Sequence, residues 1–292
     1  MNPPMPVIRI LETPAEMAQV EDLQRLVWPG SDAEILPGHI LLTFAHNGGL
    51  VLGAYESEQL VGLLVGFPGL YPLPDGLQPK HCSHELGVHP DYQNAGIGFA
   101  LKRAQWQMLR QQGLSLATWT YDPLLSRNAH LNIARLGAVC NTYLPNLYGE
   151  MRDGLNIGLD SDRFQVDWWI NTRRVSRRLG RRPRPGLSLD HYAAADIQTL
   201  YQASALPDSP IRPPDHFATP QAALALVEIP SDFFALKRQD FTLARAWRLF
   251  SRQVFTACFE QGYLVTDFIF DRSGNTPRSL YVLTHGQSTL TD

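Results

Sequence analysis

A short glycine-containing loop is the segment whose residue types and spacing most clearly indicate chemistry. Gln93-Asn94-Ala95-Gly96-Ile97-Gly98 follows a predicted strand that ends near Val88 and precedes an apolar helical pattern that stops at Gly113. Glycines let the main chain turn tightly and approach a phosphate, while unpaired N–H groups and the helix dipole supply positive charge. The pattern therefore predicts an anion site that needs no charged side chain.

This loop differs from the two best-known phosphate-binding motifs. It lacks the third glycine of G-x-G-x-x-G and the Gly-Lys-Ser/Thr sequence of a P-loop, which argues against dinucleotides and nucleoside triphosphates. Taken alone, the loop is also compatible with a simple tight turn between a strand and a helix.

Two ionisable side chains on the preceding strand are candidate catalytic groups. In a regular strand His84 shares a face with Leu86 and Val88, whereas Glu85 shares the other face with Gly87. A β-bulge would exchange those faces. His84 is our first candidate for a general base, because the unperturbed pKa of histidine, about 6.5, suits neutral pH. Glu85 is the second candidate, and a structural histidine bonded inside the sheet is the alternative.

The elements that position these residues form an α/β pattern. We expect a strand, two helices, a hairpin, a proline- and glycine-rich loop, the strand and glycine loop described above, a long helix and another strand. A short helix stopped by Gly137 and closing strands follow. The predicted strands are 7–11, 50–55, 60–67 and 116–121, with closing strands within 141–151. The predicted helices are 14–27, one with its apolar side at 40–45 that runs to the stop at 47–49, and 97–112, and the loop covers 68–80.

The segment Leu86-Gly87-Val88-His89-Pro90-Asp91-Tyr92-Gln93-Asn94-Ala95-Gly96-Ile97-Gly98 resembles the motif strand, loop and helix start of the GNAT superfamily of acyl-CoA-dependent N-acyltransferases. The loop motif of that family is [Gln/Arg]-x-x-Gly-x-[Gly/Ala], and each position is filled. The order of predicted elements agrees over roughly residues 7 to 155. The resemblance implies the GNAT fold, a mixed and mostly antiparallel twisted sheet flanked by helices.

The resemblance also implies a cofactor and the residues that hold it. Acetyl-CoA or another acyl-CoA would be the acyl donor, and no metal would be required. Loop N–H groups would hold the pyrophosphate, and the strand main chain would pair with the pantetheine arm like an added strand. The candidate cofactor-binding residues are Leu86, Gly87, Val88, Gln93, Asn94, Ala95, Gly96, Ile97, Gly98, Asn128 and Asn132.

Some of these assignments have a structural alternative. Asn128 and Asn132, one turn apart, would contact the cofactor arm, but helix capping or a polar surface explains them equally well. Lys102 or Arg103 would reach the 3′-phosphate of CoA, and we favour a solvated helix face for both.

The residue that protonates the departing CoA thiolate in the family has no obvious counterpart in this sequence. Many members have a tyrosine four residues before the glycine that ends the short helix, and Ile133 stands there in this chain. Tyr143 or Tyr148 would have to replace it, with Tyr148 as our catalytic candidate, although a buried strand tyrosine is the commoner situation. Asp122 is interpreted as a helix cap.

The C-terminal part is predicted to be a separate domain. Residues 172–186 contain seven arginines beside prolines and glycines, which indicates a linker between domains 1–171 and 187–292. The paired arginine spacing fits a solvated helix face. A strand, a helix at 241–261 and a further strand echo the first half, so we expect an accessory domain or a degenerate GNAT-like repeat.

Composition excludes several classes of protein. The 292 residues are 44% hydrophobic and 18% charged, as in soluble globular proteins, and the net charge of −3 disfavours a general polyanion binder. No apolar stretch approaches the roughly 20 residues that span a bilayer. Three scattered cysteines without a C-x-x-C pair indicate a reducing compartment, so we expect a cytoplasmic protein.

These observations lead to one principal hypothesis and two alternatives. We expect an N-acyltransferase that moves an acyl group, acetyl by default or else succinyl, from acyl-CoA to the amine of a small molecule, such as an amino acid, by direct attack. The alternatives are a non-catalytic acyl-CoA-binding regulatory protein and an arginine-armed nucleic-acid binder, which the charge balance disfavours. The expected partners are acyl-CoA and a small amine, without nucleic acid or membrane, and a homodimer is left open.

Overall fold

The computed structural model describes residues 6–30, 32–151, 157–180, 186–204, 210–274 and 276–286. The chain divides into two compact units. The first unit comprises Met1–Trp119, Arg152–Ile157 and Trp169–Asn171, and the second comprises Thr120–Met151, Gly158–Trp168 and Thr172–Asp292. This division differs from the predicted boundaries at 171 and 187, which remain a prediction.

The first unit begins with a strand and two helices whose ends the sequence specifies. Thr13 caps the first helix in a capping box with Glu16, and Pro14 occupies the first turn, where a missing N–H costs nothing. The elements are β1 (Val7–Ile10), α1 (Pro14–Val27), α2 (Gly38–His46), β2 (Leu50–Glu56), β3 (Gln59–Leu73), β4 (Gly76–Val88), α3 (Ile97–Gln111) and β5 (Leu116–Tyr121).

Strands β1 to β5 lie in chain order in the sheet, and the division between the units falls within β5, after Trp119. Pairs β1–β2, β2–β3 and β3–β4 are antiparallel, whereas β4 and β5 are parallel. One core cluster packs α1 and α2 against β2 and β3 through buried apolar side chains; its most deeply buried members include Leu11, Met17, Val20, Leu41, Val51, Leu63 and Val65. The sheet and α3 thus position the glycine loop and the candidate base strand.

The prediction of a loop at 68–80 is wrong. Strands β3 and β4 stay paired from Pro68 opposite His81 to Leu73 opposite Gly76, which makes a long hairpin. Prolines are tolerated in such a ribbon where the missing N–H would point away from the partner strand. Leu70 and Leu77 are more than half exposed there, so the hairpin is held by its ladder rather than by a core.

The second unit contains the remaining elements. They are α4 (Ser126–Ala129), a π-helical segment (His130–Arg135), β6 (Val139–Leu144), β7 (Arg163–Trp169), α5 (Arg173–Leu179), α6 (Leu189–Ala193), β8 (Gln198–Thr199), β9 (Leu224–Ile229), α7 (Phe233–Gln239), α8 (Phe241–Glu260), β10 (Leu264–Asp271) and β11 (Arg278–Thr284). The strand order is β7-β6-β10-β11-β9-β8. The strand, long helix and strand predicted for this region are confirmed as β9, α8 and β10.

A detail of the strand order distinguishes the second unit from the first. Strand β11 lies between β9 and β10, whereas β4 and β5 pair directly with each other. The segment before α8 also forms helix α7 instead of a glycine loop. The interpretation as a degenerate repeat therefore stays a prediction.

The arginines of α5 do not form one solvated face. Arg174 Nε donates to the main-chain oxygen of Gly137 at 2.9 Å, and Arg178 contacts Asp267 at 3.3 Å. Arg173 and Arg177 are exposed, so only half of the described arginines match the prediction. The remaining arginines of the predicted linker, at 181, 182 and 184, lie outside the described residues. Among the described helices, none combines the length and apolar character needed to cross a bilayer.

Candidate active site

Strands β4 and β5 separate after a very short ladder. Only two residue pairs join them, His81 with Ala117 and Cys82 with Thr118. We call the next residue on each strand, Ser83 and Trp119, the fork. Past the fork, β4 pairs with β3 on one side, and no strand among the described residues pairs with its other side. Such an edge presents a row of main-chain N–H and C=O groups to an extended ligand.

The glycine loop lies at the end of this free edge and begins α3. Gly96 caps the helix with φ 82°, in the left-handed region that favours glycine, and Asn94 adopts φ 67°. A Cβ on Gly98 would make only ordinary contacts with Leu86 and Val88, at 3.7 and 3.9 Å, so that alanine fits there as well. The first turn of α3 carries no acidic side chain, which leaves the positive end of its dipole available to an anion.

A β-bulge interrupts β4 at the candidate base. Gly66 of β3 lies opposite Ser83, and the next residue, Val65, lies opposite Glu85. His84 is therefore the extra residue of the bulge and has no partner in β3. The ring of His84 instead lies beside that of Phe67, with 5.9 Å between centroids and the two planes tilted by 57°.

The bulge decides which side chains share a face beyond it. A Cβ on Gly87 would meet Val27 of α1 and Trp28, which follows it, so this position faces α1. Leu86 and Val88 face α3, because they are the side chains nearest to Gly98. By strand alternation Glu85 shares the α1 face with Gly87.

The electrostatic environment favours Glu85 over His84 as a base. Burial raises the pKa of Glu85 to about 7, and its Oε2 atom is buried without a hydrogen-bond partner among the described residues. Burial also lowers the pKa of His84, although the residue keeps an exposed surface. A carboxyl group that titrates near neutral pH is well matched to general base catalysis, whereas lowering the pKa of a histidine weakens it as a base.

The structure adds a buried polar cluster that the sequence did not indicate. Lys102 is only 2% exposed, and its Nζ donates to Ser83 Oγ at 2.8 Å and to Gln105 Oε1 at 3.2 Å. The same amine lies 3.6 Å from the ring centroid of Trp119. Both interpretations of Lys102, a contact with a 3′-phosphate and a solvated helix face, are therefore wrong.

His81 completes this cluster beneath the fork. Its Nε2 lies 3.0 Å from Gln105 Nε2, and burial, followed by the nearby charge of Lys102, lowers its pKa to about 3. His81 is therefore neutral, with Nε2 accepting a hydrogen bond from the Gln105 amide. Burial likewise holds the pKa of Lys102 well below its usual range.

The other predicted site residues belong to the second unit. Asn128 is half-buried in α4, and Asn132 is buried in the π-helical segment, whose wider turn changes the spacing expected for an α-helix. Tyr148 is 53% exposed, and its hydroxyl lies 2.7 Å from that of Thr120. Ile133 is fully buried, so this position supplies no proton donor.

Two further polar residues of the second unit are occupied by structural contacts. Tyr143 donates from its hydroxyl to Asp162 at 2.7 Å, and burial raises its pKa, which makes it a poor proton donor. Asp122 accepts from the Leu124 N–H at 2.9 Å and forms a buried ion pair with Arg248. The prediction of Asp122 as a helix cap is wrong, because α4 begins at Ser126 with Leu125 as its N-cap and without a side-chain cap.

The comparison with protein families decides what kind of domain contains the loop and the fork. Residues 17–131 match the acetyltransferase (GNAT) family. This chain contains a GNAT-family domain. The predicted fold class is confirmed as well, because the structure is a mixed α/β arrangement with a mostly antiparallel open sheet and flanking helices. Acyl-CoA-dependent acyl transfer is the general activity that a GNAT domain supports.

Solved structures that resemble the GNAT domain are distant in sequence. Naa20 of Chaetomium thermophilum, in complex with a bisubstrate analogue, is 13% identical over 61% of this chain and 92% of its own, with a TM-score of 0.46. NAA60 of Arabidopsis thaliana, in complex with acetyl-CoA, is 15% identical over 56% and 98%, with a TM-score of 0.45. Ard1 of Thermoplasma volcanium is 16% identical over 55% and 95%, with a TM-score of 0.43. Because these scores are low, the family assignment rests on residues 17–131. No curated protein matches the sequence.

Proposed function

We propose that this protein transfers an acyl group from an acyl-CoA to the amine of a small molecule, such as an amino acid. Acetyl is the default acyl group, and succinyl is the second choice. The observation that carries the proposal is the coincidence, within the first unit, of three features: a glycine loop at the start of α3, a free edge along β4, and Glu85 beside the bulge with a pKa of about 7.

The residues of the first unit fit the donor. Main-chain N–H groups from Asn94 to Gly98 would hold the pyrophosphate, because Gly96 is left-handed at the start of α3 and a Cβ added to it would meet no atom within 4 Å. The unpaired edge from Leu86 to Val88 would bind the pantetheine arm by strand-like hydrogen bonds. Asn128 and Asn132 are proposed as additional contacts to the same arm.

Glu85 is assigned the role of general base. Its carboxylate accepts the proton of the attacking amine, directly or through one water molecule. The acyl-CoA supplies a thioester whose C–S bond breaks as the C–N bond forms, and the departing sulfur takes up a proton. Tyr148 is the proposed donor of that proton, since Ile133 supplies none and the Tyr143 hydroxyl already donates to Asp162.

A second candidate function follows from the same observations. The buried Ile133 stands where many family members have an acid, which favours a protein that binds acyl-CoA without turning it over. The two functions differ in whether free CoA thiol accumulates when an amine is present.

Measuring the release of CoA thiol from acetyl-CoA and succinyl-CoA, with a panel of amino acids and polyamines, tests the proposal. We expect amine-dependent thiol release by the wild type and a loss of about 100-fold or more in Glu85→Gln, the usual scale of general base catalysis. Glu58→Gln, an exposed change in the β2–β3 turn, is the matched control. Binding of acyl-CoA with no thiol release across the panel would favour the regulatory function instead.

A further inference from the structure

The amine of Lys102 lies where the two central strands of the first unit separate. It donates to Ser83 on β4 and lies over the ring of Trp119 on β5, and these are the two residues of the fork. One side chain from α3 therefore contacts both strands at the first position past their last pair.

The contact with Ser83 is made immediately before the bulge. Ser83 pairs with Gly66 of β3 and is the last paired residue before the bulge, whereas His84 has no partner in β3. Gln105, one helical turn after Lys102, donates from Nε2 to the same hydroxyl at 3.2 Å. The α3 side of β4 is thus fixed by two hydrogen bonds at the position where its free edge begins.

The surroundings of the amine satisfy its hydrogen bonds and cover its remaining side. Ser83 and Gln105 offer oxygen acceptors, and the indole face offers an apolar surface. Lys102 is one of only three lysines in the sequence, the others being Lys80 and Lys237. A shorter side chain at this position would leave the Ser83 hydroxyl and the Trp119 ring without their common contact.

We propose that Lys102 is a positioning residue that fixes the opening between β4 and β5. Through Ser83 it also fixes the bulge, so that the free edge of β4 is preorganised for the pantetheine arm of the donor. This inference rests on the proposed function. It assigns no contact between Lys102 and the reacting atoms, and it separates the binding of the pantetheine arm from the binding of the nucleotide end at the glycine loop.

A comparison of the whole donor with its nucleotide end tests the inference. The two ligands are acetyl-CoA and adenosine 3′-phosphate 5′-diphosphate, which keeps both bridging phosphates but lacks the pantetheine arm. Their dissociation constants are measured by calorimetry for the wild type, Lys102→Met, Ser83→Ala and the control Lys80→Met. The control makes the same chemical change as Lys102→Met, at a half-buried site in the β3–β4 hairpin, on the strand that carries Ser83.

We expect Lys102→Met to bind acetyl-CoA about tenfold more weakly, the scale of one lost buried hydrogen bond. Ser83→Ala should weaken acetyl-CoA binding in the same direction, which keeps the test open if Lys102→Met does not fold. Both variants should bind the nucleotide fragment within about twofold of the wild type, because that fragment never reaches the fork. Lys80→Met should match the wild type for both ligands.

Different failures have different meanings. Wild-type affinity for acetyl-CoA in both Lys102→Met and Ser83→Ala overturns the inference and leaves the proposed function intact. Equal losses for acetyl-CoA and the fragment overturn it too, because they indicate a merely structural role. Failure of the wild type to bind acetyl-CoA removes the proposed function, and the inference with it.

Discussion

Replacing Glu85 by glutamine should stabilise the protein at neutral and alkaline pH but not at acidic pH. Burial raises the pKa of Glu85 from 4.5 to about 7, so the folded state favours the protonated carboxyl group more than the unfolded state does. The stabilisation from this group is complete below pH 4.5 and is lost as the pH rises through about 7. Glutamine resembles the protonated form and does not titrate.

The size of the effect follows from the two pKa values. At 1.36 kcal/mol for each pKa unit, the difference amounts to ~3 kcal/mol of unfolding free energy lost by the wild type between acidic and alkaline pH. Glu85→Gln should therefore be about 3 kcal/mol more stable than the wild type at pH 8.5 and nearly equal to it at acidic pH.

Urea unfolding at both pH values measures this difference, with Glu58→Gln as the exposed control. Equal stability of Glu85→Gln and the wild type at pH 8.5 would refute the reasoning, and so would the same gain at both pH values. Either result would mean that the Glu85 carboxyl group is not desolvated in the folded protein. Its assignment as the general base would then lose its physical basis.

Three further predictions concern stability and are tested by chemical denaturation at neutral pH. Gly66→Ala should destabilise the fold by about 1–3 kcal/mol, because a Cβ there would overlap the ring of His81; unchanged stability would show that the strand can shift at no cost. Asp122→Ala should cost about 3–5 kcal/mol, since it leaves Arg248 as a buried unpaired charge, and a cost below about 1 kcal/mol would contradict a desolvated pair. Thr13→Ala should cost about 1 kcal/mol by removing the capping box, and no loss would mean that α1 is capped in another way.

Local signals in the sequence were sufficient for the elements and for the loop. The Thr13 capping box and Pro14 marked the start of α1, and Gly113 marked the end of α3. The left-handed conformation of Gly96 is the physical requirement behind its place in the motif. These features depend on residues close together in the chain, which is why a single sequence reveals them.

The buried face of α3 was harder to predict. The helical pattern before Gly113 predicted α3 but not which of its faces is buried. The structure buries Ile97, Leu101, Lys102, Gln105, Trp106 and Leu109. Trp106 and Leu109, three residues apart, were the signal for this face. The burial of two polar residues depends on partners contributed by β4 and β5, which local periodicity does not contain.

The strand register and the long-range contacts could not be predicted from the sequence for a similar reason. The bulge at His84 arises from the pairing of β4 with β3. Because of it, Leu86 and Val88, instead of Glu85 and Gly87, share the α3 side of the strand with Ser83. Arg174 and Arg178 were expected to be solvated, but they contact groups that lie up to about ninety residues away in the chain. Composition indicated an exposed arginine-rich segment, whereas tertiary contacts decided which of its side chains are buried.

The central claim is that the glycine loop binds an acyl-CoA, and calorimetric titration with acetyl-CoA tests it most directly. Gly96→Asp places a negative charge at the proposed pyrophosphate site, while Gly113→Asp makes the same change at the other end of α3, where φ is 75° and the space is equally open. We expect binding by the wild type and Gly113→Asp, and a loss of at least about tenfold in Gly96→Asp, as like charges are brought together. Equal binding by all three proteins, or binding by none, would contradict the claim.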